Sequence, residues 1–187
     1  MFIEDKTFNK IDFTKTPLTA GEYDGCNFVN CNFRQSDLSR YSFSECEFKG
    51  CDLSLVKLNG TVLNDVKFSE SKLLGIHFSD CNDLVLSMSF TGCDLSLSVF
   101  YKLKLKKSVF KDCNLQESDF TDADLSSSTF ENCNLNRTVF FQTNLEKVDF
   151  RSSFNYSFDP DKNNIKKAKF SRNEVVGLLG KNDIEIE

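Results

Sequence analysis

Between residues 110 and 135, phenylalanine and leucine exchange places every five residues: Phe110, Leu115, Phe120, Leu125, Phe130, Leu135. The step extends far beyond that stretch. From Phe8 to Phe78 it lands on fifteen Phe, Leu or Tyr residues in succession, and from Phe90 to Phe150 on thirteen more in strict Phe/Leu alternation. A period of five matches neither the 3.6-residue repeat of an amphipathic helix nor the two-residue alternation of a strand. A short unit repeated this regularly belongs to folds in which each copy stacks on the next.

A second restricted site lies two positions before each large residue. It holds small side chains such as Cys26, Cys31, Ser36 and Thr61 in the first run, and Cys93, Ser98, Ala123 and Cys133 in the second. Between the two sites Asp or Asn is frequent, as at Asn32, Asp52, Asp94, Asn114, Asp124 and Asn144. All eight cysteines keep the phase of the small site, and Cys93, Cys113 and Cys133 recur at intervals of twenty. Cys26, Cys31, Cys46 and Cys51 lack the C-x-x-C pairs of a zinc site. Buried reduced thiols serving as small apolar side chains account for the pattern, and no metal or cofactor is expected.

The unit of small residue, Asx, Leu or Phe and two polar residues resembles the pentapeptide-repeat family, over about residues 6 to 152. The resemblance implies an all-β right-handed quadrilateral β-helix with four units per square coil. On that reading residues 1–170 form the β-helix and 171–187 a capping and dimerisation segment. Physical reasoning agrees: with the large and small sites inward, coils stack about 4.8 Å apart through a parallel ladder, and residues twenty apart form columns. Phe and Leu then occupy opposed pairs of faces.

Twelve residues separate Phe78 from Phe90, so the period is broken by a two-residue insertion in SDCNDLVLSMSF. The insertion is read either as a corner bulge or as a small projecting loop with Asp80, Asn82 and Asp83 as its polar tip. Past Phe150 the pattern decays, and SRNEVVGLLG reads as a short helix with Ser171 at its N-cap and Glu174 completing a capping box. NDIEIE alternates like a strand. This tail resembles that of the quinolone-resistance and microcin-immunity type, which implies a homodimer through Val175, Val176, Leu178, Leu179, Ile184 and Ile186.

With 28 acidic and 23 basic residues the formal net charge is -5, which disfavours direct nucleic-acid binding through a basic field. Glu117, Asp119, Asp122 and Asp124 form an outward acidic strip that could imitate phosphates. The resemblance extends this to a DNA-mimicking modulator or protector of DNA gyrase or another topoisomerase. The alternative is a general protein–protein interaction scaffold. A single histidine, His77, placed outward, and the lack of a glycine-rich phosphate loop argue against an enzyme or a small-molecule substrate. Without a signal-like N-terminus or a long apolar run, a cytoplasmic protein with no membrane association is expected.

Overall fold

In the computed structural model, which describes residues 1–182 with Ile184 and Glu185, the chain winds as a four-sided parallel β solenoid. Its regular strands are short because a corner follows every five residues. In chain order they are β1 (Phe2–Glu4), β2 (Thr7–Asn9), β3 (Glu22–Asp24), β4 (Asn27–Val29), β5 (Ser42–Ser44) and β6 (Glu47–Lys49), then β7 (Val62–Asn64), β8 (Val66–Ser69), β9 (Met88–Thr91), β10 (Val109–Lys111) and β11 (Thr129–Glu131). The first face is the parallel sheet β2-β4-β6-β8-β9-β10-β11. The fourth face begins as β1-β3-β5-β7, and isolated parallel bridges such as Lys104↔Asp124 and Asp124↔Asn144 continue it. The second and third faces are built wholly of such bridges, Asp94↔Asn114 on one and Asp119↔Val139 on the other.

The large residues fill the interior as the five-residue step requires. Every one from Phe13 to Phe78 and from Phe90 to Phe150 is buried; Phe8, in the first coil, is half-buried. Along each Phe column the rings stack face to face, Phe100 on Phe120 at 4.6 Å and Phe110 on Phe130 at 4.8 Å. Across the core the columns meet edge to face, Phe110 against Phe120 at 5.8 Å and 88°. Both arrangements suit the ring quadrupole.

The small site carries a recurrent hydrogen bond. Ser118 Oγ donates to the Leu95 carbonyl at 2.9 Å, Thr138 Oγ1 to Leu115 at 2.7 Å and Ser153 Oγ to Phe130 at 2.8 Å, each reaching back 23 residues. Cys133 Sγ makes the same contact with the Phe110 carbonyl at 3.3 Å. Cys, Ser and Thr are thus interchangeable here, since each fills a narrow corner while meeting a carbonyl that burial would leave short of a donor.

Most corners place the second residue after the large one in the left-handed region, φ 60° at Lys102 and 58° at Asp122, and even at Leu55 and Leu97, 59° and 61°. For a residue with a Cβ this costs about 1–2 kcal/mol. The ladder offsets it, because the corner N–H meets a carbonyl of the next coil, Leu97 to Gln116 at 3.0 Å and Asp122 to Phe141 at 2.9 Å. Asx residues before the large site hold the turn from outside: Asn114 Oδ1 accepts from the Gln116 N–H, and Asn144 Oδ1 from the Glu146 N–H. Their amides also form rungs between coils, Asn134 to Asn114 at 3.1 Å and Asn164 to Asn144 at 2.9 Å.

The insertion leaves the ladder intact on either side. β8 pairs with β9 in a register of twenty-two, Phe68↔Phe90, and twenty is restored at Phe90↔Phe110. The chain leaves the coil after Asn82, whose N–H donates to Thr61, and rejoins at Ser87, whose N–H donates to Leu63.

The tail departs from the helix expectation, and the expected strand NDIEIE lies partly outside the described residues. Residues 175–178 and 180–182 form two short 3-10 turns, and Ile184 and Glu185 carry no strand pairing. Two β-branched valines followed by glycines at 177 and 180 make a poor α-helix. Half of the capping box exists: Ser171 Oγ accepts from the Glu174 N–H at 3.2 Å, but the Glu174 carboxylate accepts from the Asn155 N–H at 2.8 Å. Glu174 therefore ties the tail to the last coil instead of closing its own turn. Among the described residues no helix is long and apolar enough to cross a membrane.

Candidate interaction surface

The four carboxylates expected to form an acidic strip separate into different roles. Asp119 and Asp124 occupy the Asx position, so turn geometry engages an oxygen of each. Asp119 Oδ1 accepts from the Thr121 N–H at 2.8 Å. Asp124 Oδ1 accepts from the Ser126 N–H at 3.1 Å and the Asn144 amide at 3.0 Å, while Lys106 Nζ lies 3.3 Å from Oδ2. Burial pushes the Asp124 carboxyl up, but the Ser126 and Lys106 contacts outweigh it and hold the group below the ordinary value. Glu117, on an exposed corner, faces Arg137 at 3.7 Å. Asp122, on the next corner, enters none of the ion pairs among the described residues. The fold brings these groups onto one coil, yet among them only Asp122 makes neither a close ion pair nor a turn hydrogen bond, with Lys102 its neighbouring charge.

Asp80 and Asn82 are held at the base of the insertion, whereas Asp83 is exposed in the projecting segment beside Leu84. Asp80 closes the 3-10 turn Phe78–Asp80, and its carbonyl accepts from the Gly60 N–H at 2.8 Å. Asn82 Oδ1 accepts from the Leu84 N–H at 3.0 Å, an Asx turn that throws the chain outward. Two large apolar side chains project beside Asp83: Leu84 is 86% exposed and Val85 51%. Sequence reasoning missed these two residues; their signal was a pair of large apolar side chains inside the one segment with no phase.

On the third face Tyr101, Val139 and Phe141 are exposed, and Lys102 Nζ lies 4.7 Å from the Tyr101 ring centroid. The outward charges pair partly between coils and partly within one coil. Lys111 reaches Glu131, at 3.0 Å, but Arg151 turns back to Asp149 at 2.8 Å, and Lys106 rather than Lys104 meets Asp124. Of the tail residues, Leu178 is buried, whereas Val175, Val176, Leu179 and Ile184 remain exposed. Leu178 is therefore corrected from a contact between copies to a plug of this chain's own last coil; Ile186 lies outside the described residues.

The eight cysteines are all unpaired and buried. Burial pushes the thiols of Cys46, Cys51 and Cys81 up to about 12. Among the described residues no three His, Cys, Asp or Glu side chains are arranged to hold a metal ion. Because the reactive species is the thiolate, a thiol-specific chromogenic reagent is expected to label the native chain negligibly at neutral pH and all eight sites after denaturation. Rapid labelling of even one native thiol would show that the small site opens. His77 is exposed, and a 420 Å³ depression beside Phe13, Arg34 and Tyr41 does not include it.

Stacked five-residue units, an interior of large and small columns and an outward surface of turns define a solenoid that presents faces rather than a cleft. The family model for the pentapeptide repeat region matches residues 22–83 and 86–158, and the chain belongs to the pentapeptide-repeat family. Among solved structures it is similar to a trypsin-treated point variant of QnrB1, a plasmid-mediated fluoroquinolone resistance protein. That match has 20% identity and a TM-score of 0.76, covering 100% of this chain and 92% of the other. Full-length QnrB1 matches at 17% identity with a TM-score of 0.64, covering 98% of this chain and 100% of that one. Direct comparison with curated protein sequences returns no match.

Proposed function

We propose that the chain acts without catalysis, through its outer surface, as a modulator or protector of DNA gyrase or a related topoisomerase. The reading is supported above all by the likeness to QnrB1 over the whole chain, tail included. The surface fits such a role: rigid faces, a loop with two exposed apolar side chains and an excess of acidic groups. In this reading the exposed tail residues Val175, Val176, Leu179 and Ile184 pair two copies end to end, which would lengthen the rod. Partner residues would include Asp122, Glu117 and the loop carrying Asp80, Asn82 and Asp83. A cytoplasmic location follows from the proposed partner.

A gyrase supercoiling assay with and without a fluoroquinolone tests the reading. Added protein is expected to restore supercoiling in the presence of the drug or to alter the drug-free rate, and Leu84→Asp with Val85→Asp to weaken that effect roughly tenfold. No effect at micromolar protein would remove the topoisomerase reading. A second reading, a scaffold for some other protein, is favoured by one observation. Asp119 and Asp124 are engaged in turn hydrogen bonds, so the acidic strip is a poor row of free phosphate substitutes.

A further inference from the structure

The fourth face, with the corner that follows it, sorts its charge along the rod. Before the insertion its outward positions carry Glu4, Asp5, Glu22, Asp24, Glu45 and Asp65, and no lysine or arginine. After the insertion the same positions carry Lys104, Lys106, Lys107, Lys147, Lys166 and Lys167. The two carboxylates in this second half are each held by a lysine of the same half, Asp124 by Lys106 and Glu146 by Lys147, both at 3.3 Å. At the boundary stand the exposed Leu84 and Val85, beside a 230 Å³ depression lined by Asp65, Leu86 and the first three of those lysines.

A face that is acidic in one half and basic in the other fits few partners. A polyanion would be repelled by the first half, and a copy laid parallel would set like charges together. A copy turned by a two-fold rotation through the insertion instead lays the acidic half of one chain on the basic half of the other. Asp65 lies one coil before the insertion and Lys107 one coil after it; Asp5 and Lys167 lie four coils away on either side, as do Glu4 and Lys166. The rotation sets Asp65 against Lys107, Asp5 against Lys167 and Glu4 against Lys166, leaves Glu45 opposite Ser127 and Asp24 opposite the lysine-held Glu146, and brings the Leu84–Val85 tips together on the axis. An apolar centre within a charged rim is the usual anatomy of an isologous contact.

We infer that two copies associate side by side and antiparallel through the fourth face, with the apolar loop at the two-fold axis. The contact is separate from the tail pairing and does not rest on the topoisomerase reading, although both engage the loop tip. Electrostatic complementarity fixes the register and partner, and the buried loop supplies the apolar contact.

Disulfide capture with Leu84→Cys tests it, because the eight native thiols are buried and pairing through the tails would hold the two loops far apart. At low ionic strength Leu84→Cys is expected to give a covalent dimer on mild oxidation. Adding Glu45→Lys and Asp65→Lys strips most of the negative charge from the acidic half, and adding Lys106→Glu and Lys107→Glu removes the positive excess of the basic half. Each set alone is expected to slow capture roughly tenfold, and an equimolar mixture of the two to restore it as a heterodimer. Capture that is absent in the parent, unchanged in the swapped chains or unrestored in the mixture overturns the inference. Recovery in the mixture also shows that both swapped chains fold.

Discussion

Phe120→Ala is expected to destabilise the rod by about 3–5 kcal/mol, the range for removing a fully buried phenylalanine from a close-packed core. The ring lies between Phe100 at 4.6 Å and Phe140 at 5.5 Å in its own column. It also meets Phe110 and Phe130 edge-on at 5.8 Å and 5.9 Å. Both its stacking partners belong to neighbouring coils, so the void interrupts a column and cannot be closed by one side chain shifting along a strand. Phe141→Ala, one residue beyond the next ring of that column, removes a side chain that is 44% exposed. It should cost within about 0.5 kcal/mol. Urea denaturation of the two variants makes the comparison, and equal losses would mean that the five-residue step does not separate core from surface.

The second large effect is expected at Gly177. A Cβ there would stand 1.8 Å from the Tyr156 carbonyl oxygen and 3.0 Å from its carbon, both backbone atoms of the last coil. Neither can yield as a flexible side chain would. Gly177→Ala should therefore lift the Val175–Leu178 turn, withdraw Leu178 from its buried seat and expose the end of the core, an overpacking cost of about 1–3 kcal/mol. The coils themselves should keep their far-ultraviolet signature, because they pair only with neighbouring coils. Limited proteolysis would show new cleavage between residues 171 and 182, with hydrogen exchange accelerated there alone. Unchanged protection of the tail would mean that the close approach does not hold it down.

What could be read from the sequence follows from where a period has authority. Phe90 to Phe150 are inward because each differs by five from its neighbour, and a one-residue error would expose the whole series. The Asx residues were legible as outward and recurrent, but not as turn acceptors and amide rungs. That distinction requires knowing that Asn114 lies between Asp94 and Asn134 in adjacent coils. At Leu84 and Val85 the period is silent, since two added residues have no phase, and a polar tip was the natural expectation from Asp80, Asn82 and Asp83. Glu174 could equally have closed a capping box or bound the last coil; the choice depended on the Asn155 N–H, nineteen residues away. The sorted charge of the fourth face was hidden for a similar reason. It emerges only when columns on either side of the insertion are joined through the register Phe68↔Phe90.

The uniform span of the ladder also bears on how such a chain reaches its native state. Nearly every coil closes a loop of twenty residues, so no coil carries a much larger entropic penalty than another, and the cost of closure changes only slowly with length. The coil containing the insertion closes twenty-two instead, a negligible difference. Folding can therefore begin wherever local contacts first form and advance in both directions like a zip. Because growth adds one coil at a time, a chain halted partway would expose a half-built ladder with an open edge, the kind of surface that recruits other chains. The buried Leu178 and the Glu174 tether then act as the final stitch, removing that edge once the last coil has formed.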